Sequence, residues 1–91
     1  MQATYPIYLL PTAQEEFDRL CEEFVDFEKL WESGIFWLKK FPNNRSSASE
    51  IKKDLYVTKL PINLPDERQL FVVFKYNKSC IHVASIRCVP L

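Results

Sequence analysis

One glycine and one histidine in 91 residues are unusual scarcities, and each removes a class of chemistry. Phosphate-cradling loops of the GxGxxG or Walker type need glycines where backbone approaches phosphate, so neither kind of nucleotide loop is available. His82 stands with three dispersed cysteines, Cys21, Cys80 and Cys88, spaced 59 and 8 positions apart. A zinc site pairs its ligands at about two to five residues, so this set predicts no metal, and no other cofactor is expected. No apolar run approaches the roughly 18 residues of a membrane span. The N-terminal segment MQATYPIYLL has neither the basic region nor the small-residue cleavage site of a signal peptide. An odd number of cysteines in segments patterned as element interiors reads as free core thiols. Together these features predict a cytoplasmic protein without a membrane partner.

Apolar residues are abundant. They make up 47% of the chain, with seven Phe, four Tyr and two Trp among them, enough to build one core, and the length fits a single domain over residues 1–91. Tyr5 to Leu10, ended by Pro11, predicts a first strand. Thr12-Ala13-Gln14-Glu15 matches a capping box, and Phe17, Leu20, Cys21 and Phe24 then recur at i, i+3, i+4 and i+7, which predicts an amphipathic helix. Asp26 can cap a second helix whose stripe is Phe27, Leu30, Trp31, Ile35 and Leu38, thickened by Phe36 and Trp37. Gly34 inside it points to close packing of this helix on the first helix or on the sheet. Phe41-Pro42-Asn43-Asn44 stops that helix, and Arg45 to Ser49 reads as a polar loop. Asp54 to Leu60 predicts a second strand, and Pro61 to Glu67 a loop whose two prolines forbid a central strand. Gln69 to Tyr76 and Cys80 to Cys88 give the strongest strand patterns, joined by the hairpin turn Asn77-Lys78-Ser79. The expected fold is α+β in the order β-α-α-β-β-β, a helical hairpin packed on a mainly antiparallel sheet.

The zero net charge conceals a division along the chain. Residues 1–44 carry eight acidic and four basic side chains, and residues 45–91 carry four acidic and eight basic ones, a net of −4 against +4. Carboxylates on the first helix, such as Glu15, Glu16, Glu22 and Glu23, read as its solvated face. The basic surplus of the sheet half suits either a solvated sheet or an anionic partner. In an antiparallel pair the end of the second strand faces the start of the third, so Lys59 and Arg68 are expected to converge. Arginines and lysines so placed can hold a phosphate and stabilise charge developing on it. Tyr56, Phe71 and Tyr76 are candidate stacking surfaces for bases. Cys80 and His82, two apart on one strand, lack a third group to orient the imidazole, which argues against a thiolate pair.

The order of elements, with YLLPTAQEEFDRL at one end and LFVVFKYNKSCIHVASIRCV at the other, resembles the RelE/ParE superfamily of toxins from type II toxin–antitoxin systems. The likeness spans nearly the whole chain. It implies a toxin with a cognate antitoxin partner. Members of the RelE kind are metal-independent endoribonucleases that cut messenger RNA on the ribosome, and members of the ParE kind inhibit DNA gyrase without cutting nucleic acid. Carried over by position, Arg87, Arg68 and Lys59 take the catalytic places. Lys52 and Lys53 match the family's basic strand-two region, with Tyr56 beside them as a nucleic-acid contact. The family's strand-three arginine falls here at Phe71, with Arg68 three residues upstream. Four residues follow Arg87, without the tyrosine that RelE-like members carry in their tail. These departures leave the alternative of a non-catalytic binding protein, either a gyrase inhibitor or a degenerate antitoxin-binding member.

Overall fold

Pro11 both ends the first strand and opens the first helix. In the computed structural model, which describes residues 5–39, 48–76 and 80–90, β1 spans Ile7–Leu9 and α1 spans Pro11–Glu23. Proline at the first helical position loses nothing, because that amide has no intrahelical partner and its φ is already helical. The capping box expected at Thr12 is therefore not used. Leu10 occupies the N-cap position without a side-chain hydrogen bond, and its carbonyl accepts the Gln14 N–H at 2.8 Å. A three-residue connection, Phe24 to Asp26, leads to α2, Phe27–Leu38, at whose start the Asp26 carbonyl accepts the Leu30 N–H at 3.1 Å.

The helical stripes pack as their spacing predicts. Ala13 and Leu20 of α1 and Phe27, Trp31, Ile35 and Leu38 of α2 are buried, with Phe17, Cys21, Phe24 and Leu30 partly buried against them. Phe17, Phe27 and Trp31 form a ring cluster with centroids 5.4 to 6.2 Å apart, Phe17 standing edge-on to the other two. Phe36, expected to thicken the stripe, instead faces outward at 56% exposure, because its position falls on the far side of the helix from Ile35 and Leu38. The side chain of Trp37, the stop at Phe41 to Asn44 and the turn Asn77 to Ser79 lie outside the described residues.

The remaining elements are β2 (Ser49–Lys52), β3 (Leu55–Lys59), β4 (Gln69–Tyr76) and β5 (Ile81–Val89). They form one five-stranded sheet in the order β1-β5-β4-β3-β2, antiparallel throughout except for β1, which runs parallel to β5. The architecture is thus α+β, two helices on a mixed sheet. It adds one strand to the expected order, since β2 begins at Ser49, within the stretch read as loop. The hairpin between β2 and β3 turns at Asp54, whose φ is 63° and whose N–H donates to Glu50 Oε2 at 3.0 Å.

Strand alternation decides which face meets the helices. Tyr56 and Thr58 of β3, Leu70, Val72 and Phe74 of β4, and Ile81, Val83 and Ile86 of β5 are buried. Full burial of a side chain such as Phe74 contributes about 1.5 to 3 kcal/mol, so this face dominates stability. The loop after β3 adds Leu60, Ile62 and Leu64 to the same core. It reaches α2 at Gly34, where any Cβ would fall on Cγ1 and Cδ1 of Ile62. The close approach at that glycine, expected on the first helix or the sheet, is made instead by the loop after β3.

Candidate nucleic-acid interface

The same alternation leaves the opposite face of the sheet with a row-by-row register. One row runs Lys59, Phe71, Arg87 across β3, β4 and β5. The next runs Val57, Val73, Ser85, and a third runs Leu55, Lys75, His82, Tyr8. Lys52, paired with Leu55, extends that third row onto β2. Leu55, Val57, Phe71 and Val73 are only partly covered, while Lys52, Lys59, Lys75 and Arg87 are exposed. The strand positions of these three rows include four cations and no carboxylate. Four of the eight basic side chains of the sheet half thus share one face, opposite the helices.

Arg87 is held at the rim. Its Nε donates to Ser85 Oγ at 3.2 Å, and Ser85 Oγ in turn donates to Glu16 Oε1 at 3.3 Å. The same carboxylate oxygen accepts the backbone N–H of Ile86 at 3.1 Å. Glu16 belongs to α1, so the helix orients β5 where β1, which pairs only with Ile81 to Val83, no longer covers its edge. Across from Arg87, Lys59 lies two strands away, roughly 10 Å at the backbone, with Phe71 between them.

Arg68 is placed differently from the expectation. It lines a groove of about 390 Å³ with Lys59, Ile62 and Leu64, so the two cations do share a hollow. It also borders a second groove, of about 230 Å³, that Arg87 helps to line. Its guanidinium, however, is turned to Glu23 at the end of α1 and to Asp66 in the preceding loop, and it lies 5.0 Å over the Phe24 ring. The ion pairs among the described residues are these two. Partial loss of water pulls the Arg68 pKa down, but its hydrogen bonds and attraction to Glu23 and Asp66 outweigh that and hold it above the ordinary value. With its donors engaged by two carboxylates, Arg68 joins elements of the fold and does not present its charge on the open face.

Tyr56 is a correction. Its neighbours Leu55 and Val57 occupy the open face, so Tyr56 points into the core at 8% exposure and stacks on Phe74, centroids 5.7 Å apart and planes at 22°. A base cannot reach either face of that ring. Tyr76 likewise packs edge-on to Tyr5. Phe71 is the member of the expected aromatic trio that the open face presents. Lys52 and Lys53 are exposed in β2 and its turn, Lys52 at the margin of the face.

Two contributors were not singled out from the sequence. Lys75 shares the parity of Phe71 and Val73, and counting alternate residues along QLFVVFKY was enough to find it. Tyr8, 54% exposed, stacks on His82 with centroids 5.8 Å apart and planes at 28°. That pair depends on the parallel contact of β1 with β5, which strand patterning does not announce. Cys80 Sγ sits 3.6 Å and 3.7 Å from the two ring nitrogens of the same histidine.

No helix among the described residues is long and apolar enough to cross a membrane. No protein-family model matches the chain, and no curated protein or solved structure matches it either.

Proposed function

We propose that this chain is a toxin-like protein of a bacterial toxin–antitoxin pair, acting in the cytoplasm as a metal-independent, ribosome-dependent messenger endoribonuclease through the open face of its sheet. The observation that carries the reading is the row Lys59, Phe71, Arg87 on a face whose strand positions hold four cations and no carboxylate. Arg87, oriented by Ser85 and Glu16, would grip the phosphate at the cleaved bond and stabilise the charge that develops there, with Lys59 assisting from the far side of Phe71. Lys52, Lys53 and Lys75 would hold flanking phosphates. Arg68 would support the site by fixing the end of α1. An antitoxin segment of acidic and apolar character would silence the face by covering the same cations and the half-exposed Leu55, Val57 and Val73.

The test is direct. Purified protein added to translating ribosomes should shorten the messenger, and Arg87→Ala should abolish that while leaving the fold intact. Intact messenger with both proteins would overturn the reading.

A second reading is favoured by the engagement of Arg68 with Glu23 and Asp66 and by the phenylalanine at position 71. Both remove cations from the places where the resemblance puts catalytic arginines. On that reading the chain binds without cutting, as a gyrase inhibitor or as an antitoxin-binding relative. Inhibition of gyrase supercoiling with messenger left whole would select it.

A further inference from the structure

Among the described residues the open face carries two aromatic groups, one flanked by cations and one in a row that holds a cation. Phe71 is partly exposed in register between Lys59 and Arg87. Two rows away, the Tyr8 ring is 54% exposed, backed by His82, in the row that holds Lys75. From Phe71 to Lys75 is four residues along β4, roughly 13 Å. Between these groups, in the intervening row, lie Val73 of β4 and Ser85 of β5, whose hydroxyl is already engaged by Arg87 and Glu16. Large apolar rings left on a surface are costly to hydrate, and here they alternate with positive charge and are free of carboxylates in the same rows.

A regular duplex keeps its bases stacked inside and presents mainly phosphate, so it would meet the cations and leave the rings unused. An unpaired strand offers base faces as well. Stacking on an aromatic side chain is tolerant of sequence, because every base has a π face, while neighbouring lysines and arginines take the phosphates. Resting on the nucleic-acid reading of this face given above, we infer that Phe71 and the Tyr8–His82 stack are two base platforms that make the face selective for unpaired RNA over duplex.

Affinity would be measured by fluorescence anisotropy with a labelled, unpaired oligonucleotide of twelve ribonucleotides and with a duplex of the same length, at low and moderate salt. The unpaired strand should bind more tightly. Phe71→Leu and Tyr8→Leu should each weaken it by about 5- to 100-fold and leave duplex binding unchanged, whereas Phe71→Tyr should retain most of the affinity. Both positions are outside the fully buried core, and circular dichroism would confirm that the variants fold. Equal binding of the two probes, or leucine variants that bind the unpaired strand like the parent, would overturn the platforms while leaving a basic nucleic-acid face standing. Absence of binding to either probe at low salt would overturn the face itself and the platforms with it.

Discussion

The guanidinium of Arg68 is hydrogen-bonded to the carboxylate of Glu23, 45 positions earlier in the chain, so that the end of α1 is tied to the segment entering β4. Asp66 and the Phe24 ring complete the enclosure. A side chain used this way serves the fold, and its removal should register there first. Arg68→Ala is expected to lower the melting temperature, while the salt dependence of oligonucleotide binding stays as in the parent. A phosphate ligand would behave otherwise, since its loss reduces the log–log salt slope by about 0.7 to 1. A reduced slope at unchanged stability would return Arg68 to the binding site.

Gly34 tests how closely the loop after β3 is seated on α2. Alanine is favoured over glycine inside a helix by about 1 kcal/mol. Against that gain, a Cβ here lands on Cγ1 and Cδ1 of Ile62, a side chain only 5% exposed and therefore unable to swing into solvent. Overpacking of this kind costs about 1 to 3 kcal/mol, so Gly34→Ala should be destabilising on balance. The same change made together with Ile62→Ala should cost less than the sum of the two separate changes. Additivity in denaturant unfolding would show that the two residues do not press on each other.

How much of this was legible beforehand depended on whether the deciding contact was local. The helical stripes Phe17, Leu20, Cys21, Phe24 and Phe27, Leu30, Trp31, Ile35, Leu38 are fixed by a 3.6-residue period, and the structure buries them accordingly. Strands β4 and β5 were readable for the same reason, from runs of branched and aromatic residues. Ser49–Lys52 was not, because SEIK has no strand-like alternation and forms β2 by pairing with β3. The face of Tyr56 was not legible because Leu55 and Val57 are as apolar as Tyr56 and Leu60, and only the packing of the helices breaks that tie. The ties from Arg68 to Glu23 and from Ser85 to Glu16 join residues 45 and 69 positions apart. No motif spacing encodes such a pair.

Glu16 performs two tasks with one oxygen, accepting from Ser85 Oγ and from the Ile86 N–H. The second bond satisfies an amide on the stretch of β5 that β1 does not reach. Glu16→Ala should therefore leave that amide without its partner and destabilise the protein by about 1 kcal/mol. Glu16→Gln keeps a carbonyl acceptor and should cost less. Since Arg87 is held through Ser85, Glu16→Ala should also weaken the contribution of Arg87 to oligonucleotide binding, and Glu16→Gln should do so less. Ser85→Ala should do so with little change in stability. A Glu16→Ala protein as stable as the parent would show that water replaces the carboxylate without loss.

Cys21 and Cys88 make alkaline stability a readout of the core. Burial raises the Cys21 thiol above its ordinary pKa, with Glu28 and Asp18 adding to the effect. Burial also raises Cys88, opposed by Arg68 and reinforced by Glu23, Asp66 and Glu16. In the unfolded chain both thiols titrate near the ordinary value of about 8.5. Between that value and the higher folded one, the folded protein binds more protons than the unfolded, so stability falls as pH rises. Below about pH 8 the two thiols contribute no slope. Urea unfolding at pH 7, 9 and 10 should show this decline, and it should shrink in a Cys21→Ala, Cys88→Ala double variant, where the lysines and tyrosines that also titrate at high pH are unchanged. Thiol labelling of Cys21 and Cys88, followed in a Cys80→Ser background, should agree, staying slow at pH 7.5 and accelerating past the pH at which a free thiol is already ionised. An equal alkaline decline in the double variant would assign the effect to groups other than these two cysteines.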